Sequence, residues 1–526
     1  MELRILMKTA RSAVIEIADG GIYYTLESYH LFVNGKDHKT CDTVVTSVFG
    51  LMPDTDYRFE IVHEAFGCEE ASGDEVLASA EFRTDPEFVT VNVKDLGAKG
   101  DGVSDDTVFI QSAISLCPEG SRVLIPEGRY LITSVFLKSG INIELEKGAV
   151  IAADTERTHY PALPGLIQSY DEKDEYNLGT WEGNPLPMFT GIITGMNVKD
   201  VVIYGEGCID GQASYENWWH NCKVMNIAFR PRLIFLSHCS NIRIQGIKLC
   251  NSPSWTMHPY FSDDLGFYNL IVENPQDSPN TDGMDPESCS GVDIEGVRFT
   301  LGDDCIAIKS GKIYMGKKYK KPSENITVRQ CLMENGHGAV TVGSEMAGGI
   351  RDVKIEDCLF RNTDRGLRIK TRRGRGRDAV IDDISFRNIE MKNVMTPFVV
   401  NSFYFCDPDG KTGYVQSRDA FPVDDRTPHI GRLSFEDIKA VDCHVAAAHF
   451  DGLPEEKIDR IVMRNVDISF AADAKTDVPA MSEGIEKCSR KGIFARNIKT
   501  LELKNVNITG CMGERIIASG VDEIEE

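Results

Sequence analysis

GVDIEGVRFT at 291–300, NITVRQCLMENG at 325–336 and IRDVKIEDCLFRN at 350–362 are copies of one pattern. Each alternates valine, isoleucine or leucine with polar residues, turns at a polar position and starts a second short strand. Further copies begin at 241 (NIRIQGIKLCNSP), 383 (DISFRNIEMKNV), 432 (RLSFEDIKAVDC), 459 (DRIVMRNVDISF) and 501 (LELKNVNITG). Cys305, Cys331 and Cys358 mark the period, 26 and 27 residues apart. A unit this short cannot bury its own apolar face and must stack on its neighbours. Period-2 strands without a helical moment predict an all-β chain whose main body is a right-handed parallel β-helix. The stacked thiols are expected to form an inward ladder, because free cysteine behaves as a small hydrophobe.

The pattern starts near Val89. Asp95–Gly102 reads as a glycine-rich turn leading into a capped helix over SDDTVFIQSAI. Residues 1–88 read differently: AVIEIA, TVVTSVFG and YRFEIV are short β-rich segments separated by turns, as in a small β-sandwich. Leu51, Pro53, Thr55 and Tyr57 resemble the L-x-P-x-T-x-Y signature of fibronectin type III domains, and Pro86 breaks the last strand. Two domains are therefore expected, 1–88 and 89–526.

The chain has 526 residues and a net charge of −24, which argues against nucleic acid as a partner. No apolar run is long enough for a membrane span. Fifteen cysteines, an odd number, do not suggest a disulfide framework, and the N-terminus lacks an apolar leader core. A reducing cytoplasm is the expectation; a leader removed ahead of residue 1 would place the protein outside. No cofactor or metal is called for, since the cysteines lack ligand spacing.

Four motifs fall in the middle repeats: Asn280-Thr281-Asp282-Gly283, Gly302-Asp303-Asp304, Gly336-His337-Gly338 and Arg368-Ile369-Lys370. Their spacing is about one coil each, so all four project onto one flank of the β-helix. Asp303 and Asp304 are adjacent and can share a site only at a turn or bulge, which Gly302 permits. A lone Asp in such a protein is usually a turn residue; three at coil spacing point to chemistry. His337 lacks side-chain walls on either side, so it is expected to hydrogen-bond Asp303 or a bridging oxygen. Arg368 and Lys370 alternate on one strand face and suit a carboxylate ligand. Arg372, Arg373, Arg375 and Arg377 either extend this patch or face water.

These motifs, in this order, resemble the polygalacturonases of glycoside hydrolase family 28, over roughly Val89 to the C-terminus. The resemblance implies hydrolysis of α-1,4 bonds in galacturonate oligomers or polymers, with inversion. It implies Asp303 as the acid, with Asp282 and Asp304 holding and deprotonating the water. Inverting enzymes separate acid and base by ~6.5–9.5 Å, and clustered carboxylates hold one proton tightly. Asn280 is either a substrate contact or a turn asparagine. His258, in SPSWTMHPY, and Tyr404, in NSFYFCDPDG, are further candidates for substrate binding. Trp181, Trp218, Trp219 and Trp255 either stack on sugar or fill the core.

Other readings are a pectate lyase, which needs a calcium-binding carboxylate set, and an inactive carbohydrate-binding β-helix, which needs a lost acid or base. A rhamnogalacturonan hydrolase would be expected to depart from the His and Arg-x-Lys motifs. Exo-action from the non-reducing end is favoured over endo-action. The segments 153–190, 213–232 and 404–430 stand outside the repeat and could wall off one end of a groove.

Overall fold

The computed structural model describes residues 1–63, 76–165 and 177–526. Seven strands come first: β1 Glu2–Lys8, β2 Ser12–Ala18, β3 Tyr24–Val33, β4 Lys36–Thr43, β5 Val45–Phe49, β6 Asp56–His63 and β7 Val76–Arg83. They form two antiparallel sheets, ordered β1-β2-β5 and β4-β3-β6-β7. Ile15, Leu31, Phe59 and Ile61 are buried in one cluster with Leu51. The Met52 amide donates to the Tyr57 hydroxyl at 2.8 Å, so the Leu51–Tyr57 segment closes on itself.

From Thr90 onward the chain winds into a right-handed stack of parallel coils. The long sheet behind the stack has 23 strands. The sheet that carries the site runs through 193–196, 234–237, 257–260, 306–308, 340–343, 365–370, 396–401, 446–451, 491–496 and 516–519. Bridges from Met257 to Met284 and from Met284 to Ile306 join its two halves into one wall.

Turn chemistry explains why the coils register. Asp357 and Asn388, then Asn362 and Asn393, take left-handed φ values near +55° on successive coils. Each lower side chain is bonded by the one above: Asn388 Nδ2 donates to Asp357 Oδ1 and Asn393 Nδ2 to Asn362 Oδ1, both at 2.7 Å. Asn and Asp adopt this conformation at little cost, and their amides form ladders when stacked. Cys305, Cys331 and Cys358 all lie fully buried in the core, but only Cys331 and Cys358 stack on each other. Cys305 leads into the site wall and stacks on Ala339, so the expected three-thiol ladder is a pair. Every cysteine among the described residues is a free thiol.

A helix, α1 (Thr107–Leu116), closes the first coil with Ile110, Ala113 and Ile114. Its start departs from the expected cap. Asp106 turns back to accept from the amides of Lys99 and Gly100 at 2.8 and 2.9 Å. Asp105 takes over the helix end, accepting from the Thr107 amide at 2.9 Å.

The sandwich lies against the 23-stranded sheet. Val14, Val44 and Val45 pack on Tyr268, and Tyr23 on Leu332 and Leu359. Glu16, 2% exposed, accepts from Arg329 Nη1 at 3.0 Å and Gln330 Nε2 at 2.7 Å. No helix among the described residues is long and apolar enough to cross a membrane.

Candidate active site

On the site wall, residues alternate between core and outside. Met257, Met284, Ile306, Ile308, Val340, Leu367, Ile369, Phe398 and Ala448 point into the core. Their neighbours therefore face outward, in two columns set by the ladder register. One column runs His258, Asp285, Ala307, Thr341, Arg368, Val399, His449; the other runs Tyr260, Glu287, Lys309, Gly343, Lys370, Asn401, Asp451. The catalytic motifs lie in the turns that lead into these strands. Gly302 is required there, because a Cβ would stand 1.7 Å from the Gln276 carbonyl oxygen. Gly338 is equally confined: its Cβ would meet Thr341 Oγ1 at 2.3 Å and Asp304 Oδ1 at 3.0 Å.

These turns bring Asp282, Asp303 and Asp304 together, with one carboxylate oxygen from each within 4.8 Å of the others. That is the span of the nearest oxygens, room for one water between them, and not the distance between the carboxyl groups. Asp304 is 1% exposed; Arg368 Nη1 donates to Oδ1 at 3.1 Å and Lys370 Nζ to Oδ2 at 2.7 Å. Burial alone would push its pKa up, but Lys370 and Arg368 outweigh burial and hold the carboxyl well below the usual range. Asp282 goes the other way: burial, then Asp285 and Asp303, push it well above. Asp282 thus binds a proton more tightly than usual, and Asp285 behind it does too, whereas the resemblance implies Asp303 as the acid. Asp303 is half-buried, and its Oδ1 accepts from the Asp304 amide at 2.9 Å.

Donor chemistry also bears on a metal. The three carboxylates could surround a cation, but both Asp304 oxygens are already engaged by Arg368 and Lys370, so an ion would have to share them.

His337 departs from expectation. Its Nδ1 pairs with Asp364 Oδ2 at 2.8 Å, while its backbone amide, not its ring, bonds the Asp303 carbonyl at 3.1 Å. The bond to Asp364 raises the imidazole pKa, with Asp303 and Asp304 adding to it. Asp364 was not singled out from sequence, though it lies 27 residues after His337, one coil on, where a stacked partner is expected.

His258 does not line the cleft. It is wholly buried, between Arg232 Nε at 3.3 Å and Glu287 Oε2 at 3.0 Å, and burial holds its pKa well below the ordinary value. Asn280 is a turn asparagine with φ +57°, its Oδ1 accepting from Arg230 Nη2 at 2.8 Å. Tyr404 is 8% exposed, with Lys370 Nζ 5.6 Å from its ring centre. All four tryptophans are buried, so none offers a free stacking face. Trp255 lies between Arg232 and Lys309, with Cζ at 4.2 Å and Nζ at 4.4 Å from its ring centre.

Arg372, Arg373 and Arg375 are buried and neither extend the patch nor face water, whereas Arg377 is exposed. Arg372 donates to Asp407, Asp409 and the Cys406 carbonyl, and Arg373 to Glu455 and the Ser417 and Asp419 carbonyls. They pin segment 404–419. Arg377 donates its amide to the Asp425 carbonyl at 3.0 Å.

Beneath Asp282 lies a set of buried charges that sequence reading missed: Asp285, Glu287, Lys309 and Glu345. Burial raises Asp285 to about 7 and Glu287 to about 8. Lys309 Nζ bonds Glu345 Oε2 at 3.2 Å and lies 3.4 Å from Asp285. Asp285 and Glu287 follow Asp282 on an extended segment bridged to both neighbouring strands, where they alternate with the inward Met284, so alternation could have flagged them.

Comparison with known proteins settles the family. Residues 121–478 match the glycosyl hydrolases family 28. The chain belongs to that family. It is a glycoside hydrolase of the polygalacturonase type. Residues 90–149 also match a rhamnogalacturonase A/epimerase, pectate lyase-like family. A probable polygalacturonase of Vitis vinifera is 33% identical over 410 residues, covering 75% of this chain and 79% of the relative. An exopolygalacturonase of Thermotoga maritima shares the fold with a TM-score of 0.61 and 25% identity, covering 76% of this chain and 93% of its own. A family 28 exopolygalacturonase of Yersinia enterocolitica gives a TM-score of 0.68 at 18% identity over 99% of this chain and 98% of its own, so the likeness of fold extends through the N-terminal sheets.

Proposed function

We propose that this enzyme hydrolyses α-1,4-galacturonosidic bonds of pectate or oligogalacturonides, with inversion, acting from the non-reducing end. The observation that carries exo-action is the covering of the groove floor on both sides of the carboxylates. On the N-terminal side His258, Tyr260, Asp285 and Glu287 are buried, with Trp181 and Trp255 stacked about Arg232. On the other side Val399, Asn401, His449 and Asp451 are buried; the Met481 carbonyl accepts from Asn401 and Arg418 bonds Asp451. Between these covers Asp303, His337 and Asp364 reach solvent around the triad, as do Gln276 and Asn280 at its edge. A floor covered at both ends suits a chain end better than a through-running polymer. Part of segment 153–190, namely 166–176, lies outside the described residues. The similar Thermotoga protein is named an exopolygalacturonase, which supports the same reading.

In this mechanism Asp303 gives its proton to the leaving oxygen as the C1–O bond breaks. A water held by Asp282 and Asp304 attacks C1 from the opposite face and loses its proton to that pair. Burial keeps the proton on Asp282 in the free enzyme, so it must reach Asp303 once the substrate oxygen is in place. The carboxylate oxygens are within 4.8 Å, near enough for one water to carry it. Asp364 orients the His337 ring beside Asp303, and the cations on Asp304 stabilise its charge.

Product analysis tests the proposal. Exo-action releases one small galacturonide from the first minute with little fall in viscosity, and ¹H NMR at early times shows the β-anomer. A spread of intermediate oligomers would overturn exo-action alone; an initial α-anomer would overturn inversion. A product absorbing near 230–240 nm would replace hydrolysis with lyase chemistry.

A further inference from the structure

A cavity of about 670 Å³ lies outside the catalytic triad, between segment 155–157 and segment 216–226. Both segments are turns that lead into strands of the site wall, 193–196 and 234–237, as the catalytic turns lead into Met284, Ile306 and Val340. The cavity is thus on the flank of the helix that carries Asp282. Strand 234–237 pairs with 257–260, which is bridged to Met284, so the two turns are two coils apart, or about 10 Å.

The polar groups of the cavity are sorted by their existing bonds. Glu156 is occupied by the Thr158 amide and hydroxyl at 3.1 and 2.8 Å, and Glu216 by the Ser214 hydroxyl at 3.1 Å. Arg157 differs. Its Nη2 alone donates, to the carbonyls of Asn217 and Trp218 at 3.4 and 3.3 Å. Among the described residues it has no ion pair within 4 Å, in a protein of net charge −24 where most other arginines have an acidic partner. Desolvation lowers its pKa, opposed in part by the neighbouring Glu156, as for a guanidinium partly withdrawn from water. Its plane is fixed, with Cζ 4.7 Å from the ring centre of the buried Trp218. Val224 and Met225, 68% and 50% exposed, give the rim an apolar surface that suits the C–H face of a pyranose.

We propose that this cavity is a distal subsite for an acidic sugar: a uronate unit of the bound chain roughly two coils from the cleaved bond, its carboxylate taken by Arg157. The proposal rests on the galacturonide reading above. Nε and Nη1 of Arg157 are the open donors, and Asn221 and Asn226 flank them for hydroxyl contacts. Such a subsite would make turnover depend on chain length even though the reacting bond is at a chain end.

The test is the chain-length profile of kcat/KM on di-, tri-, tetra- and hexagalacturonide for the wild type, Arg157→Met and Asn226→Trp. The second variant fills the cavity without removing Arg157 from Trp218, which guards against a folding defect in the first. Hexagalacturonide binding to the same variants in an Asp303→Asn background is measured by calorimetry. Both variants are expected to weaken binding and kcat/KM for the longest substrate by about tenfold or more, with the penalty shrinking as the chain shortens. Profiles and affinities parallel to wild type at every length would overturn the subsite while leaving hydrolysis intact. A wild type that cleaves no galacturonide would instead overturn the functional reading, and the subsite with it.

Discussion

Lys370 Nζ stands 2.7 Å from Asp304 Oδ2, and both side chains are more than nine-tenths buried. The lysine therefore serves the enzyme's own carboxylate before it meets any substrate. Replacing it leaves Asp304 buried with Arg368 alone. Lys370→Met is expected to raise the Asp304 pKa, to move the acid limb of kcat to higher pH, and to cost ~3 kcal/mol of stability, since half of a buried pair is left uncompensated. Thermal melts and a pH–rate profile check this. An unmoved acid limb would leave Lys370 as a substrate contact only.

Asp303→Asn is expected to lower kcat by about 100-fold or more, with folding and oligogalacturonide binding largely retained. Activity assays beside calorimetric binding decide it. Near-normal turnover in a folded variant would remove Asp303 from the acid role.

The His337–Asp364 pair sets a testable titration. Asp364 is the main cause of the raised His337 pKa, so Asp364→Asn should shift the imidazole titration to lower pH. NMR of the histidine Cε1–H signal follows it directly. If the protonated ring assists Asp303, the alkaline limb of kcat/KM moves down in step.

Asp285 and Glu287 bind their protons more tightly folded than unfolded, with values raised to about 7 and about 8. Unfolded carboxylates titrate near ~4, so between that pH and the folded values the native state holds the extra protons. Their contribution to stability is complete below ~4 and declines as pH rises towards 8. The melting temperature should show this slope, and Glu287→Gln should flatten its upper part. A slope unchanged in the variant would mean that Glu287 is ionised throughout.

Chelation separates the chemistries. Prior treatment with a calcium chelator is expected to leave the hydrolysis rate unchanged, because Lys370 and Arg368 already supply positive charge at Asp304. Loss of rate restored by calcium would place a metal in the site.

What sequence could reveal follows the repeat. Cys331 and Cys358 stack one coil apart, as their spacing suggests, while Cys305 at nearly the same interval belongs to another wall. Spacing alone therefore does not fix which side of the coil a residue takes, but coil spacing does gather Asp282, Asp304, His337 and Arg368. His337's true partner was within reach, since Asp364 lies one coil further on. The burial of His258 was not, because it is covered by Arg232, which is itself held by Trp181, a residue that belongs to no repeat. Arg372 and Arg373 look like surface charge for the same reason: their acceptors come from residues 406–419 and 455. The proton assignment within the triad depends on Asp285 and on burial, neither of which a motif records.

Glu16 accepts from Arg329 and Gln330 across 313 and 314 residues of chain. During synthesis, the sandwich is complete, with Arg4 as the cation beside Glu16, long before the coil that adds Arg329 and Gln330 leaves the ribosome. Until then a carboxylate destined for burial must stay hydrated, and the face formed by Val14, Val44 and Val45 has nothing to cover it. The early domain is thus held open as a half-made interface while several coils stack. Docking comes late, as a signal in charge and packing that the middle of the helix has been built in register.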